Sequence, residues 1–415
     1  MATRTWLGEA AAVAQIDTAT PATVEIGDIF DLILTSEDGA TTQTISYTAA
    51  AATVADVVAG LVAAWNASPL SMVATITAAD VGTTHLTLTA DTAGVPFYLT
   101  TSTTDGGGND TQTLTRAAST ANSGPNDFNC VYNWTDEDTP DAADDVHFRD
   151  SSVDCLYGLD QNSVALTSLT IDQSYTGKIG SATIPLKICA TTVTIGQHHG
   201  AVTPSGSRRI NLNLHTTATT VTIHNSAATA SETGRAPVRL LATNAANVLN
   251  IRKGYVAVAN GAGETSQFAT INVSFDSNIK ADADLVIGSG VTLTTLNADG
   301  GDVILLCAAT TAGSAAGTLE TDGSGAITTL TVGPDCAAVL KSSGTITTLH
   351  DYGAVDLRPS LTARTITNTN LYAGATYKAD WTLVTNTNGF DLVQCGLADV
   401  TLELGDNLTV TPSAI

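Results

Sequence analysis

From Ser168 onward, one short pattern of polar and apolar positions keeps returning along the chain. A small residue is followed by alternating Thr and aliphatic residues, then by a corner that contains Gly or Asn. Instances are Ser168-Leu-Thr-Ile171, Thr192-Val-Thr-Ile195, Thr220-Val-Thr-Ile223, Val248-Leu-Asn-Ile251 and Thr270-Ile-Asn-Val273. Ile327-Thr-Thr-Leu330, Ile346-Thr-Thr-Leu349 and Ile366-Thr-Asn-Thr369 follow. Alternation at period two marks a strand with one buried face. Matching positions lie 24 (171 to 195), 28 (195 to 223), 28 (223 to 251) and 22 (251 to 273) residues apart. Later steps are 19 (327 to 346) and 20 (346 to 366). A β-rich unit of roughly 20–30 residues cannot bury its apolar side alone, so its copies stack, and the pattern predicts a β-solenoid (β-helix). Irregular stretches at 197–208, 227–235 and 258–267 read as corner insertions.

The first part of the chain has a different rhythm. Strands are predicted near Glu25–Leu34, Gln43–Thr48, Met72–Thr77, His85–Ala90 and Pro96–Thr101. Between them, Val54, Val57, Val58, Leu61, Val62 and Trp65 form a stripe at helical period behind the cap Thr53-Val-Ala-Asp56. Residues 1–115 are therefore expected to form a small α+β domain, with the helix on an antiparallel sheet and Trp65 as a core anchor. Thr, Gly, Asn and Ser dominate 102–127 around a last strand, Thr111–Arg116, so 116–127 is expected to be a linker. The solenoid is expected over 128–375. Phe128, Tyr132, Trp134, Phe148 and Tyr157 would form its cap and first rung with Leu169 and Ile171. Texture changes again at 376–415, where Trp381, Phe390, Leu397, Leu408 and Val410 suggest a C-terminal β cap.

Charge narrows the partners. Charged residues make up 13% of the 415, about half the roughly 25% of an ordinary soluble domain. The formal net charge of −24 opposes a phosphate backbone and argues against nucleic acid. No stretch approaches the ~20 apolar residues that span a bilayer. The N-terminal Met1-Ala-Thr-Arg-Thr-Trp-Leu-Gly8 has no signal-peptide run, so neither a membrane nor ordinary secretion is expected, and assembly would occur in a host cytoplasm. Cys130, Cys155, Cys189, Cys307, Cys336 and Cys395 form no CxxC pair. They read as buried free thiols, with a disulfide such as Cys130–Cys155 as the alternative.

Two strings resemble known modules. Asn133-Trp134, the Pro140 loop, Asp144-Asp-Val-His-Phe148, Tyr157-Gly-Leu-Asp-Gln161, Leu169-Thr-Ile171 and Tyr175-Thr-Gly-Lys-Ile-Gly180 resemble a β-solenoid module of tailed-phage structural proteins. Gly27-Asp-Ile-Phe30, Val54-Ala-Asp-Val-Val-Ala-Gly-Leu61, Ala64-Trp-Asn66, Leu86-Thr-Leu-Thr-Ala90 and Gly94-Val-Pro-Phe97 are similar to a small domain that recurs in phage virion proteins. Together they cover about half of the chain. The resemblance implies a homotrimeric virion structural protein without saying which part of the virion, and the leading expectation is a non-enzymatic protein displayed on the particle surface. It would decorate the capsid or form a head fibre, and its N-terminal domain would meet other virion proteins such as the major capsid protein. A tail fibre or tailspike that binds, and perhaps cuts, host glycans is the alternative.

Candidate chemistry is sparse, and no catalytic, cofactor-binding or metal-ligating residue is assigned. Asp136, Glu137, Asp138, Asp141, Asp144 and Asp145 are the densest charge, readable as Ca²⁺ ligands or as a solvated loop, without EF-hand spacing. A sugar-cleaving site needs two acids about 5–10 Å apart. Asp282/Asp284 and Asp299/Asp302 are the nearest pairs, and neither has an adjacent Trp or Tyr. His198, His199, His215 and His224 read as polar surface, or as a metal site on a trimer axis. Ser205-Gly-Ser-Arg-Arg209 is a basic island expected to be exposed.

Overall fold

In a computed structural model, which describes residues 2–108, 111–197, 209–226, 236–273, 283–395 and 399–405, strand accounts for 52% and helix for 6%. The chain is mainly β. Twenty-two strands join one large sheet whose neighbours pair in parallel, as in a β-solenoid. Contacts divide the chain into two units: Met1–Thr5 with Pro140–Ser152 and Asp160–Ile415, and Trp6–Thr139 with Val153–Leu159.

In the first unit, each turn of chain lays down two strand segments that meet at a corner. On one face Leu169, Val193, Val221, Leu249, Ile271, Leu296, Ala312, Leu330 and Leu349 are register partners from rung to rung. Two residues on, the same rungs stack Ile171, Ile195, Ile223, Ile251, Val273, Ala298, Ser314, Val332, Asp351 and Leu371. The second face supplies Val238, Val256, Leu285, Val303, Leu319, Ala338, Val355 and Tyr377. All these side chains are buried. Each buried aliphatic contributes about 1.5–3 kcal/mol, which is why the Thr/aliphatic alternation dictates a stack. Eight steps at ~4.8 Å carry the first ladder about 38 Å from Leu169 to Leu349.

Backbone groups released at the corners find side chains. The Thr219 hydroxyl donates to the Ala190 carbonyl at 2.8 Å, and Asn247 Oδ1 accepts the Thr219 amide at 2.8 Å. Asn247 is fully buried, so these bonds replace water that cannot reach the corner. Gly254 has φ +97° and lies against the Ser226 carbonyl, where a Cβ would collide. Outside the stack, Asn272 donates to Asn250 at 2.8 Å and Asn297 donates to Asn272 at 2.9 Å, a short amide ladder along one column.

The second unit contains two antiparallel sheets. One orders the strands Ile76–Val81, His85–Ala90, Ile16–Ala22 and Thr113–Thr120; the other orders Thr42–Thr48, Ile29–Thr35 and Tyr98–Thr104. The helix Val54–Asn66 buries Val57, Val58, Leu61 and Trp65 against Phe30, Leu32, Leu86 and Leu88. Trp65 donates its indole N–H to the Ile76 carbonyl at 2.8 Å. Asp56 ties the helix start to the preceding turn by accepting the Ala50 and Ala51 amides at 2.8 and 3.0 Å. Those bonds, the Ala51 amide foremost, hold its carboxyl below the usual range although burial works to raise it.

Several expectations need correction. Residues 116–120 are not linker: they belong to the strand Thr113–Thr120, which pairs with Ile16–Ala22 and buries Leu114. Trp134 and Tyr157, expected in the cap and first rung, belong by contact to the Trp6–Thr139 unit, whereas Phe148, Leu169 and Ile171 stack in the solenoid. The segment from 376 is not a separate cap among the described residues. Thr376–Lys378 and Thr401–Glu403 continue the parallel pairing, and Trp381 is 48% exposed. Leu397, Leu408 and Val410 lie outside the described residues. Finally, the single sheet expected beside the helix is two sheets.

Candidate functional site

The acidic loop is divided between the two units. Asp136, Glu137 and Asp138 fall in one unit, and Asp141, Asp144 and Asp145 in the other. Asp144 is committed internally: it accepts the Ala2 amide at 2.7 Å and the Asp141 amide at 3.1 Å, and it pairs with Arg4 at 3.4 Å. Burial works to raise its pKa, but these donors outweigh it and hold the carboxyl below its usual range. Asp145 accepts the Ser168 hydroxyl at 2.5 Å. Among the described residues, no three Asp, Glu, His or Cys side chains converge as a metal cage. His198 and His199 lie outside the described residues. His215 and His224 have pKa values lowered, in each by burial first and then by a neighbouring cation, Lys187 and Arg252 respectively.

The six cysteines are free; all are buried except the half-buried Cys395. Burial pushes the Cys155 thiol well up and the Cys307 thiol to about 12, so neither is poised as a thiolate nucleophile.

Acid pairs fall differently from their sequence spacing. Asp282 lies outside the described residues. Asp284 and Asp302, eighteen positions apart, are register partners on adjacent rungs, with Tyr255 next in the same column. Their backbones are ~4.8 Å apart, and Asp302 accepts the Thr318 hydroxyl at 2.5 Å. Variable rung length hid this pair, which could be found only by aligning rungs rather than counting residues.

Two grooves flank the later rungs. One, of about 420 Å³, is lined by Asn297, Asp299, Thr331 and Tyr352; the other, of about 350 Å³, by Thr348, Asn368, Asn370, Asn388 and Asp391. Tyr352 stacks on Tyr372 with ring centroids 3.8 Å apart and an interplanar angle of 15°. The Tyr372 hydroxyl lies 3.2 Å from His350 Nδ1, and hydrogen bonding with Tyr352 followed by burial pushes its pKa to about 12.

A third cleft, of about 280 Å³, opens on the outer side of the second face. Arg209, Arg239, Tyr255, Asn260 and Glu264 line it. Both arginines are buried, which corrects the exposure expected for the basic island at Arg209; the rest of that island, 205–208, lies outside the described residues. Arg209 donates through Nε to the Ala236 carbonyl at 3.2 Å. Arg239 and Glu264 form an ion pair, and Glu264 also accepts the Gly261 amide at 2.9 Å. No family model matches the chain, and no curated protein or solved structure matches it. No helix among the described residues is long and apolar enough to cross a membrane.

Proposed function

We propose that this chain is a non-enzymatic structural protein of a phage-like virion. It displays a β-solenoid on the particle surface, as capsid decoration or as a head fibre. The observation that carries the reading is the unbroken register of buried aliphatic residues from Leu169 to Leu349, which makes a stiff spacer. The strings that resemble phage virion modules support a place in a virion, without saying in which part of it. The Trp6–Thr139 unit, with its own core, attaches to other virion proteins such as the major capsid protein.

The working form in this reading is a homotrimer. Leu361 is 89% exposed and Trp381 48% exposed, on the same corner of successive rungs, where a neighbouring copy would remove them from water. Electron microscopy of intact particles labelled through this protein tests the assignment. Label spread over the head is expected, and particles without label would refute it. A second reading, a tail fibre that binds host glycans, is favoured by the stacked Tyr352–Tyr372 pair beside two amide-lined grooves. In that case label concentrates at the tail.

A further inference from the structure

The geometry points to a binding groove for a neutral oligosaccharide, two pyranose units or more, along the corner between Tyr352 and Asp299. The site gives the glycan-binding reading above its ligand and rests on that reading. The groove is a gap in the outer wall of the first face. There Asn272, Asn297, Gly313, Thr331, His350 and Asn370 are register partners on successive rungs. Gly313 interrupts that wall: a Cβ built on it would meet only the Thr331 Cβ, at 4.0 Å. At the corner beside it, the residues that follow the inward ladder are Asp299, Ala315, Gly333, Tyr352 and Tyr372. Ala315 and Gly333 are too small to fill the two rungs between Asp299 and Tyr352, and a Cβ at Gly333 would strike the Ala315 backbone. The volume left open is about 420 Å³, within the roughly 300–1,000 Å³ of ordinary ligand pockets.

The two ends of the groove offer different contacts. Tyr372 stacks on one face of the Tyr352 ring and fixes its plane. Tyr352 lines the groove and Tyr372 does not, so the groove meets the ring's other face. A pyranose carries C–H groups on a face that packs against an aromatic ring, and hydroxyls around its edge. A sugar seated on Tyr352 comes level with the rung of Gly333, whose Thr331 offers a hydroxyl to that edge. At the far end stand Asn297 and Asp299. The Asn297 amide nitrogen donates to Asn272 at 2.9 Å, which leaves its carbonyl oxygen to accept from a sugar hydroxyl. Three rung steps of ~4.8 Å, ~14 Å in all, separate Tyr352 from Asp299. One ring on Tyr352 therefore leaves Asn297 and Asp299 to a second.

Charge narrows the sugar class. Asp299 is the one charged side chain among the described residues lining the groove, in a chain of net charge −24. That sign turns away uronic and sialic acids, whereas a carboxylate accepts strong hydrogen bonds from neutral hydroxyls.

Isothermal titration calorimetry of the full chain with glucose, glucuronate, maltose, cellobiose, lactose and chitobiose tests the site. At least one of the four disaccharides is expected to bind tenfold or more tightly than glucose, and glucuronate more weakly than glucose. Tyr352→Ala should weaken that disaccharide at least tenfold, and Tyr352→Phe, which keeps the ring, should bind it nearly as well as the parent. Gly313→Leu places a side chain where the backbone has room for it. It should abolish binding by filling the groove, with the thermal transition unchanged. Asn297→Ala should weaken the disaccharide and leave glucose as it was. A disaccharide that binds Tyr352→Ala or Gly313→Leu as tightly as the parent sits elsewhere on the protein, which overturns this groove and leaves the glycan reading standing. Binding to none of the disaccharides, or a preference for glucuronate, also overturns the groove, while label at the tail would still support the reading it rests on.

Discussion

Replacing Asp351 should change the pH dependence of stability more than stability itself. Asp351 occupies an interior ladder position between Val332 and Leu371, where the other rungs place mostly aliphatic residues. It is fully buried; Oδ1 accepts the Gly353 amide at 3.0 Å, and Oδ2 has no partner among the described residues. Burial, only partly offset by the Gly353 amide, raises its pKa from 3.8 to about 7. The buried neighbours Cys336 and Tyr377 both feel its charge. Since the folded pKa is raised, the group's stabilising contribution is fully present below about pH 4 and is lost as pH rises through about 7. A shift of about three units corresponds to ~4 kcal/mol at ~1.4 kcal/mol per unit. Asp351→Asn keeps the acceptor for Gly353 and removes the charge. Urea unfolding of both proteins at pH 4 and pH 8 gives the difference directly. The variant should gain ~4 kcal/mol relative to the parent between those two pH values. A difference constant to within ~1 kcal/mol would refute an ionisable group buried in the stack.

Other outcomes follow from single sites. Asn247→Ala strips the Thr219 amide of its acceptor at a buried corner, and denaturant unfolding should show a loss of about 1–3 kcal/mol. Thr53→Ala removes the side-chain cap on the Asp56 amide and should cost the Trp6–Thr139 unit about 1 kcal/mol, read from its thermal transition. Under native conditions at pH 8, a thiol reagent should label the half-buried Cys395 and spare the five buried cysteines; rapid labelling of Cys155 or Cys307 would contradict their burial. If the proposed homotrimer forms through this corner, the parent should scatter light as a trimer and Leu361→Ser combined with Trp381→Ser as a monomer; an unchanged mass would refute that contact.

The chain announces one half of its solenoid and conceals the other. The Thr/aliphatic phrase was legible because each copy lies on the same face at constant register, with large aliphatics pointing inward. The rung at Ala309–Ser314 escaped notice because its inward residues are small: Ala312 and Ser314 continue ladders built elsewhere from Leu, Ile and Val. The second face was hidden by corner lengths that change from rung to rung. In the Trp6–Thr139 unit, Thr53 and the stripe from Val54 to Trp65 located the helix to the residue, since a cap and a helical period agree there. Trp134 misled for a simple reason: an aromatic near the start of a repeat reads as a lid, yet its ring packs edge-on against Trp6 and Phe128 at 5.2 and 4.7 Å. The Arg239 cleft could not be read at all. Arg239 and Glu264 are 25 residues apart and meet only because successive rungs stack.

Paired cysteine substitutions test the stacked register most directly. Thr192 and Thr220 are outward-facing register partners on adjacent rungs, and Val248 is the next in their column. A spacing of ~4.8 Å lies within disulfide reach, and the ~9.6 Å across two rungs lies beyond it. Mass spectrometry of the mildly oxidised protein should find Thr192→Cys joined to Thr220→Cys, and Thr192→Cys unjoined to Val248→Cys when those two are paired instead. A reduced first pair, or equal closure of both, would contradict the solenoid.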